Sequence, residues 1–372
     1  MKCIGKCIAV SIVISILCCA CGETPKTPKP EKVQQAEYQA KLDALRPTIY
    51  GDIEGLSPEP GTCISIIGRN AGDSFWGEVQ AGAEQAIKDL NEQLGYTGKD
   101  KIILRYVAPK ERDNVDEQIN ILDEELDNAP LAIGIAAADA TACITQFDYA
   151  KEYGIPIVML DSGSEYQDVA ATCATDNVDA ARVAATQLAD AIEGNGEVLL
   201  FIQDSVSQTA KDRETGFLEG LKKYPNIKVA KTFRYDDYSK EAKKIAKSLD
   251  IPVEEVSQDR IVSYILEQYP DVKGVLAANL DSTQHVVHVL DKLEKKDVKV
   301  VGFDGGKEQL ELLDEGKIEG LILQNPFGMG YATVVAIIRA AYSMGNEAMV
   351  DSSYVWITKE NLDDEEVVGL LY

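Results

Sequence analysis

The chain has 372 residues, of which 37 are basic and 62 acidic, giving a formal net charge of −25 with 45% hydrophobic residues. A balance that acidic, with no lysine or arginine cluster interleaved with aromatics, excludes nucleic acid and anionic lipid headgroups as partners, since both demand a positive surface. Behind the N-terminal leader about 310 residues remain, more than one hydrophobic core usually serves and enough for two domains of ordinary size.

The start carries Lys2 and Lys6, then an uncharged run from Cys7 to Leu17, then Cys18-Cys19-Ala20-Cys21-Gly22. That is the pattern of a secretory signal peptide over residues 1–21. As a helix the run spans roughly 16 Å, well short of the ~30 Å hydrocarbon core, so it is no permanent membrane span. Residues 22–58 read as a linker or tether. Its first part, GETPKTPKPE, holds three prolines and no large apolar residue, which makes an extended, solvated spacer. Lys32 to Leu45 has the makings of a short helix with Tyr38, Leu42 and Leu45 on one side before Pro47 stops it, either resting on the body or continuing the spacer. The compact body is expected to start near Gly61.

From there strand and helix alternate. Cys63–Ile67 is a short apolar run of the kind buried parallel strands show. Trp76, Val79, Ala83, Ala86, Ile87, Leu90 and Leu94 then form a helical stripe. Strands follow at 102–107, 131–135 and 155–160, with helices at 115–126 and 141–153 between them. A helix over 180–192 leads into a second series, with strands at 198–202, 227–233, 274–278, 298–303 and 321–323. Its helices start near Arg213, Asp259, Ser282 and Lys307, and a last helix runs over 331–344. Repeated βα units of this kind predict an α/β fold of two doubly wound parallel-sheet lobes. In such sheets ligands lie beyond the carboxyl ends of the strands. Those ends carry Asp73-Ser74-Phe75-Trp76, Asp161-Ser162-Gly163, Asn279-Leu280-Asp281, Asp304-Gly305-Gly306 and Gln324-Asn325. Single-charge and amide groups beside two adjacent aromatics suit a neutral polyhydroxyl ligand, whose hydroxyls pair with the former and whose C–H faces lie on the latter. Taken singly, each is also ordinary turn chemistry.

Other chemistries find little support. Cys63, Cys143 and Cys173 lie in the mature body, an odd number, and none sits at a metal-binding spacing. His285 and His288, the only histidines, lie at i,i+3 with Asp281 nearby and no further side chain to complete a metal site. Gly328-Met329-Gly330 lacks the third glycine and acidic partner of a dinucleotide loop, and no GxSxG, P-loop or HExxH occurs. No catalytic residue, metal or cofactor is expected.

From Gly61 to about Tyr354 the chain resembles type I periplasmic solute-binding proteins of the ribose/galactose branch. The resemblance rests on Asp73-Ser74-Phe75-Trp76 with Ala81-Gly82-Ala83, on Gly154-Ile155-Pro156-Ile157-Val158 ending in Asp161, and on Thr175-Asp176-Asn177. In the second lobe it rests on Arg213-Glu214-Thr215-Gly216-Phe217 and on Val300-Val301-Gly302-Phe303-Asp304-Gly305 followed by Gln324. It implies two lobes joined by a three-strand hinge: an N-terminal lobe of 59–175 plus 326–350 and a C-terminal lobe of 176–325 plus 351–372. The implied crossings lie near Thr175–Asn177, Gln324–Pro326 and Val350–Ser352. It implies ligand contacts from Asp73, Phe75, Trp76, Asp161, Lys211, Asn279, Asp304 and Gln324. Relatives that bind ribose carry asparagine at the place of Ala136 and arginines at those of Ser162 and Lys211, so two forked guanidinium donors are missing here. The second-lobe aromatic that closes over the ligand is either Tyr235 or Tyr238. The leader resembles a lipoprotein signal, with Cys21 (or Cys19) lipidated. The implied protein is extracytoplasmic, lipid-anchored to the membrane, and delivers a sugar-like small molecule to ABC transporter permease subunits. The alternatives are a receptor for a membrane sensor or chemotaxis system, or a binder of a nucleoside or autoinducer-like furanose.

Overall fold

The computed structural model describes residues 38–372. The signal peptide, the Cys21 lipidation site and the proline-rich stretch lie outside the described residues. Two six-stranded sheets make up the molecule. The first, in the order β11-β5-β4-β3-β1-β2, joins β1 (Cys63–Ile67), β2 (Ile103–Val107), β3 (Ile133–Ile135), β4 (Ile157–Leu160), β5 (Ala171–Ala174) and β11 (Met349–Asp351). All its pairings are parallel. The second, in the order β12-β10-β9-β8-β6-β7, joins β6 (Asn195–Ile202), β7 (Asn226–Arg234), β8 (Val272–Ala277), β9 (Lys299–Phe303), β10 (Gly320–Gln324) and β12 (Tyr354–Ile357). There β12 runs antiparallel to β10, and the other pairs are parallel. The chain crosses between the sheets after β5, after β10 and between β11 and β12.

Helix α1 (Ser74–Leu94) shows how local chemistry sets the elements. Asp73 caps it, its carboxylate accepting from the Trp76 N–H at 2.9 Å, a contact of about 1 kcal/mol. Trp76, Val79, Ala83, Ala86 and Leu90 bury one face, and Gly95 ends the helix at φ 69°. The other helices used below are α2 (Val115–Asp127), α3 (Ile144–Glu152), α4 (Asn177–Ala191), α5 (Gln208–Leu221), α6 (Tyr238–Leu249), α7 (Gln258–Gln268), α8 (Leu280–Lys292), α9 (Lys307–Asp314) and α10 (Pro326–Ala341). Helix α10 returns to the first lobe and starts earlier than the apolar pattern predicts, because Pro326 occupies its first turn and the Asn325 side chain accepts from the Gly328 N–H at 2.9 Å. Its glycine motif is a packing device. A Cβ on Gly330 would lie 1.9 Å from the Val79 carbonyl oxygen, and one on Gly82 would lie 1.9 Å from that of Phe327. The backbones of α1 and α10 therefore touch.

The expectation of a tether to residue 58 is corrected by the structure. Leu42, Leu45, Tyr50, Ile53 and Leu56 are buried in the first-lobe core, and the Tyr38 ring stacks on Phe327 with centroids 5.5 Å apart. Side chains of this kind contribute about 1.5–3 kcal/mol each when fully buried, so residues 38–58 belong to the body. The three body cysteines are all unpaired thiols.

Candidate ligand-binding cleft

A cleft opens between the carboxyl ends of the two sheets. Two aspartates define it. Asp161 follows β4 at φ 53° and Asp304 follows β9 at φ 77°, both in the left-handed region where aspartate is tolerated better than most residues. Each is pinned by its own N–H, to the Cys173 carbonyl at 2.9 Å and the Ile322 carbonyl at 2.8 Å, and each side chain is buried. Both line the cleft with Asp73, Phe75, Trp76, Asn279 and Gln324.

The second-lobe side is tied together by hydrogen bonds. Asp304 Oδ1 accepts from Gln324 Nε2 at 2.6 Å, and Asp304 Oδ2 accepts from the Leu280 N–H at 2.8 Å. Asn279 caps α8 through the Ser282 N–H at 3.0 Å. Gln324 turns its own carbonyl to the Thr175 hydroxyl at 3.0 Å, so one side chain links the cleft carboxylate to two of the interlobe crossings. Asn325 Nδ2 donates to the Ser352 carbonyl at 3.1 Å, which ties in the third.

The guanidinium donors absent from positions 162 and 211 are supplied from elsewhere. Arg213 on α5 is buried, donates from Nε to Asn177 Oδ1 at 2.8 Å and from Nη1 to the Ala278 carbonyl at 2.5 Å, and lies 4.2 Å over the Phe303 ring. Arg69, just after β1, pairs with Asp113 at 2.6 Å and reaches Asp204 of the other lobe at 3.5 Å. Arg112 pairs with Asp73 of its own lobe and, at 2.6 Å, with Asp281 of the opposite one. The Ala140 N–H also donates to the Val206 carbonyl at 3.2 Å, so the lobes meet across the cleft.

Electrostatically Asp161 stands apart. Burial raises its carboxyl to about 6, against the opposing pull of Arg213 and Arg69, and among the described residues no side chain or backbone N–H donates to it. Gln203, also lining the cleft, has a buried Oε1 without a partner, as does the Ser162 hydroxyl next to Asp161. Buried polar atoms left open in this way await a bound molecule or water.

Phe75 and Trp76 stack edge to face with centroids 5.3 Å apart, and both line the cleft. Lys211 does not. Helix α5 turns Ala210, Arg213 and Phe217 inward, which leaves Lys211 at the rim, where it pairs with Glu165 of the first lobe at 3.2 Å. The two expected closing tyrosines are also outside. Tyr238 donates to the Val256 carbonyl at 2.5 Å. Tyr235 bonds His285 Nδ1 at 3.0 Å in an adjoining hollow of ≈ 480 Å³ that shares Asp113, Gln203 and Asn279 with the cleft. His285 pairs with Asp259 at 3.0 Å rather than with Asp281, and no metal-holding cluster occurs among the described residues.

Arg69 follows the first strand and Arg213 opens the Arg213-Glu214-Thr215-Gly216-Phe217 segment, but only the fold aims them at the cleft. Nothing in the pattern of residues after β12 points to Tyr372, whose hydroxyl accepts from the Gly305 N–H at 3.3 Å.

Comparison with known proteins places this geometry. A model of the periplasmic binding protein domain matches residues 64–345. A xylitol-binding protein of Mycolicibacterium smegmatis is 25% identical over 255 residues, 67% of this chain and 67% of that protein. A D-apiose import binding protein of Paraburkholderia graminis is 24% identical over 235 residues, 63% of this chain and 69% of that one. Among solved structures, a carbohydrate transporter solute binding protein from Agrobacterium radiobacter in complex with D-arabinose superposes with a TM-score of 0.71 at 28% identity, covering 84% of this chain and 99% of that chain.

Proposed function

We propose, because this chain belongs to the periplasmic binding protein family, that it captures a neutral sugar or sugar alcohol between its lobes and delivers it to the permease of an ABC importer. One observation carries the reading: two strand-end aspartates, one per lobe, face a cleft that also presents two buried guanidiniums, side-chain amides and an aromatic pair. Hydroxyls both donate and accept, so a polyol is the ligand that serves carboxylates and guanidiniums together. An anion would meet the cleft carboxylates, and a cation the arginines. The relatives named for xylitol and D-apiose, and the one holding D-arabinose, support a sugar or sugar alcohol as the ligand class.

Family members are a standing example of hinge closure around a ligand. In this chain the hinge is the set of crossings bonded through Thr175, Gln324, Asn325 and Ser352. Ligand hydroxyls bridging Asp161 and Asp304 stabilise the closed arrangement over the open one, and the permease reads that arrangement. Lipid on Cys21, with Cys19 as runner-up, holds the protein at the outer face of the membrane. Two or more acyl chains suffice for a stable anchor, and among the described residues no helix is long and apolar enough to cross a membrane.

The test is a thermal-shift and calorimetric screen of residues 38–372 against pentitols, aldopentoses and aldohexoses. A ligand at about 100 times its dissociation constant adds about 2.7 kcal/mol of stability. No shift with any member of the panel sinks the sugar reading. Anchoring is tested by replacing Cys18, Cys19 and Cys21 with serine, which is expected to release the protein from membranes.

A further inference from the structure

The segment after β12 returns to the cleft. Val367 and Leu370 are buried in the second-lobe core, and Leu371 and Tyr372 pack against the same cluster. The Leu371 carbonyl accepts from Lys41 Nζ at 3.4 Å, and the Lys41 carbonyl accepts from Asn325 Nδ2 at 2.7 Å, so the segment passes beside the hinge. From there the Tyr372 ring enters between the lobes. Its hydroxyl accepts from the Gly305 N–H at 3.3 Å, next to Asp304. Its ring meets Phe75 of the first lobe edge to face, with centroids 6.1 Å apart. Burial and the neighbouring Asp304 carboxylate hold the phenol in its neutral form, well above its ordinary range. Tyr372 thus touches both lobes at once, one by a hydrogen bond and the other by its ring. Phe75, which the ring touches, and Asp304, next to the glycine it bonds, both line the cleft, a cavity of ≈ 70 Å³, the space of a few water molecules.

Resting on the sugar reading above, we propose that Tyr372 is the second-lobe aromatic of the ligand site: packed against Phe75 and beside Asp304, it walls off that end of the cleft and restricts the ligand to a short polyol or unsubstituted pentose. A ring packed against Phe75 extends that aromatic surface toward Asp304, where the ligand's C–H groups can lie on it. Because the ring is carried by the second lobe and contacts the first, the wall is complete only when the lobes are together. A ligand with an added ring or aglycone has no room at that end.

Wild type, Tyr372→Phe and Tyr372→Ala are compared by calorimetry against pentitols, aldopentoses, aldohexoses and their methyl glycosides. The unliganded melting temperature of each is recorded to separate folding from binding. The expected result is a loss of at least ten-fold by Tyr372→Ala for the best short ligand, with affinity for a methyl glycoside unchanged or improved. Tyr372→Phe, which keeps the ring, is expected to stay within about three-fold. A merely structural ring moves the melting temperature but leaves the ratio of short to substituted ligand unchanged, and that outcome overturns the proposal. Equal affinities in wild type and Tyr372→Ala overturn it while leaving the sugar reading intact. Tighter binding of the same ligand by Tyr372→Ala also overturns it, since the ring is then a competitor rather than a wall. Absence of binding by the wild type to every member overturns both.

Discussion

Asp161 and Asp304 hold equivalent stations in the two lobes. Each follows a central strand, each adopts a left-handed backbone, and each has its N–H fixed by the next strand over. Their carboxylates are treated in opposite ways. That of Asp304 is already engaged by Gln324 and the Leu280 N–H, and the arginine nearest to that lobe's core is held in place by Asn177, the Ala278 carbonyl and the Phe303 ring. That of Asp161 accepts no hydrogen bond from any described residue, and burial raises its pKa. At these two stations the second lobe therefore offers a prebuilt carboxylate and the first an unsatisfied one. A ligand docking first on the prebuilt carboxylate gives the unsatisfied one a reason to close on it, because only the closed arrangement supplies its missing donors.

The largest expected effect tests the prebuilt side. Arg213 is buried and donates to Asn177 and the Ala278 carbonyl, and leaving two buried acceptors unpaired costs about 1–3 kcal/mol each. Arg213→Ala is therefore expected to lower the stability of the protein in urea unfolding by about the sum of the two. Arg213→Lys is expected to rescue little, since an ammonium cannot hold Asn177 and the Ala278 carbonyl while lying flat over Phe303. A loss below about 1 kcal/mol for Arg213→Ala would remove the contrast between the lobes.

The unsatisfied carboxylate is tested through pH. The Asp161 carboxyl is raised from 3.8 to about 6 in the fold, so folding disfavours its ionised form. Its contribution to stability is fully present below about 4, where both states are protonated, and is lost as pH rises through about 6. Asp161→Asn never ionises and keeps an amide that tolerates the left-handed backbone. It is expected to be more stable than the unliganded wild type at pH 7 by about 3 kcal/mol, and equal to it near pH 4. Ligand affinity follows the opposite course: wild-type binding weakens as pH falls below 6, and the variant binds weakly with a flat profile. Parallel pH profiles in the two proteins would falsify the assignment.

Asp304→Asn perturbs the prebuilt side more gently. The amide keeps an acceptor for Gln324 but loses the charge that strengthens ligand hydrogen bonds, worth roughly 1.5–3 kcal/mol. Affinity is expected to fall roughly ten- to a hundred-fold. Since Asp304 is built into the lobe by two hydrogen bonds, a modest loss of stability accompanies it. Unchanged affinity measured by calorimetry places the ligand elsewhere.

The alternation of short apolar runs and amphipathic stripes was enough to read two doubly wound lobes, and strand ends were enough to find most of the cleft. What escaped did so for physical reasons. Strand β5, Ala171–Ala174, is four small residues with Thr172 alone favouring a strand, and it is held between β4 and β11. Strand β12 runs against the expected parallel sense, which a pattern of single residues does not encode. Residues 38–58 looked like spacer because they follow the proline-rich stretch and carry no sustained strand or helix pattern beyond Leu45, yet Leu42, Leu45 and Leu56 find the core at long range. Helix α6 falls between the predicted strand at 227–233 and the helix starting near Asp259, where no element is predicted. Tyr372 is placed by packing between lobes, and no local motif announces it.

The smallest expected effect concerns Lys211, which sequence resemblance assigned to the ligand and the fold assigns to the rim. Its ammonium is partly exposed and pairs with a carboxylate, Glu165, that is more than half exposed. Exposed pairs contribute about 0.2–1 kcal/mol and are screened by salt. Because this pair bridges the lobes, that small energy belongs to the closed arrangement alone. Lys211→Ala is expected to leave folding stability unchanged and to weaken ligand binding by no more than about five-fold, with the difference vanishing at high salt. Direct contact with ligand predicts something else: a loss of ten-fold or more that persists when salt is raised, because a desolvated hydrogen bond is screened far less than a rim pair. Calorimetry at low and high ionic strength separates the two. A salt-resistant loss returns Lys211 to the cleft and makes the first lobe's unsatisfied carboxylate a product of helix α5 sitting too far out.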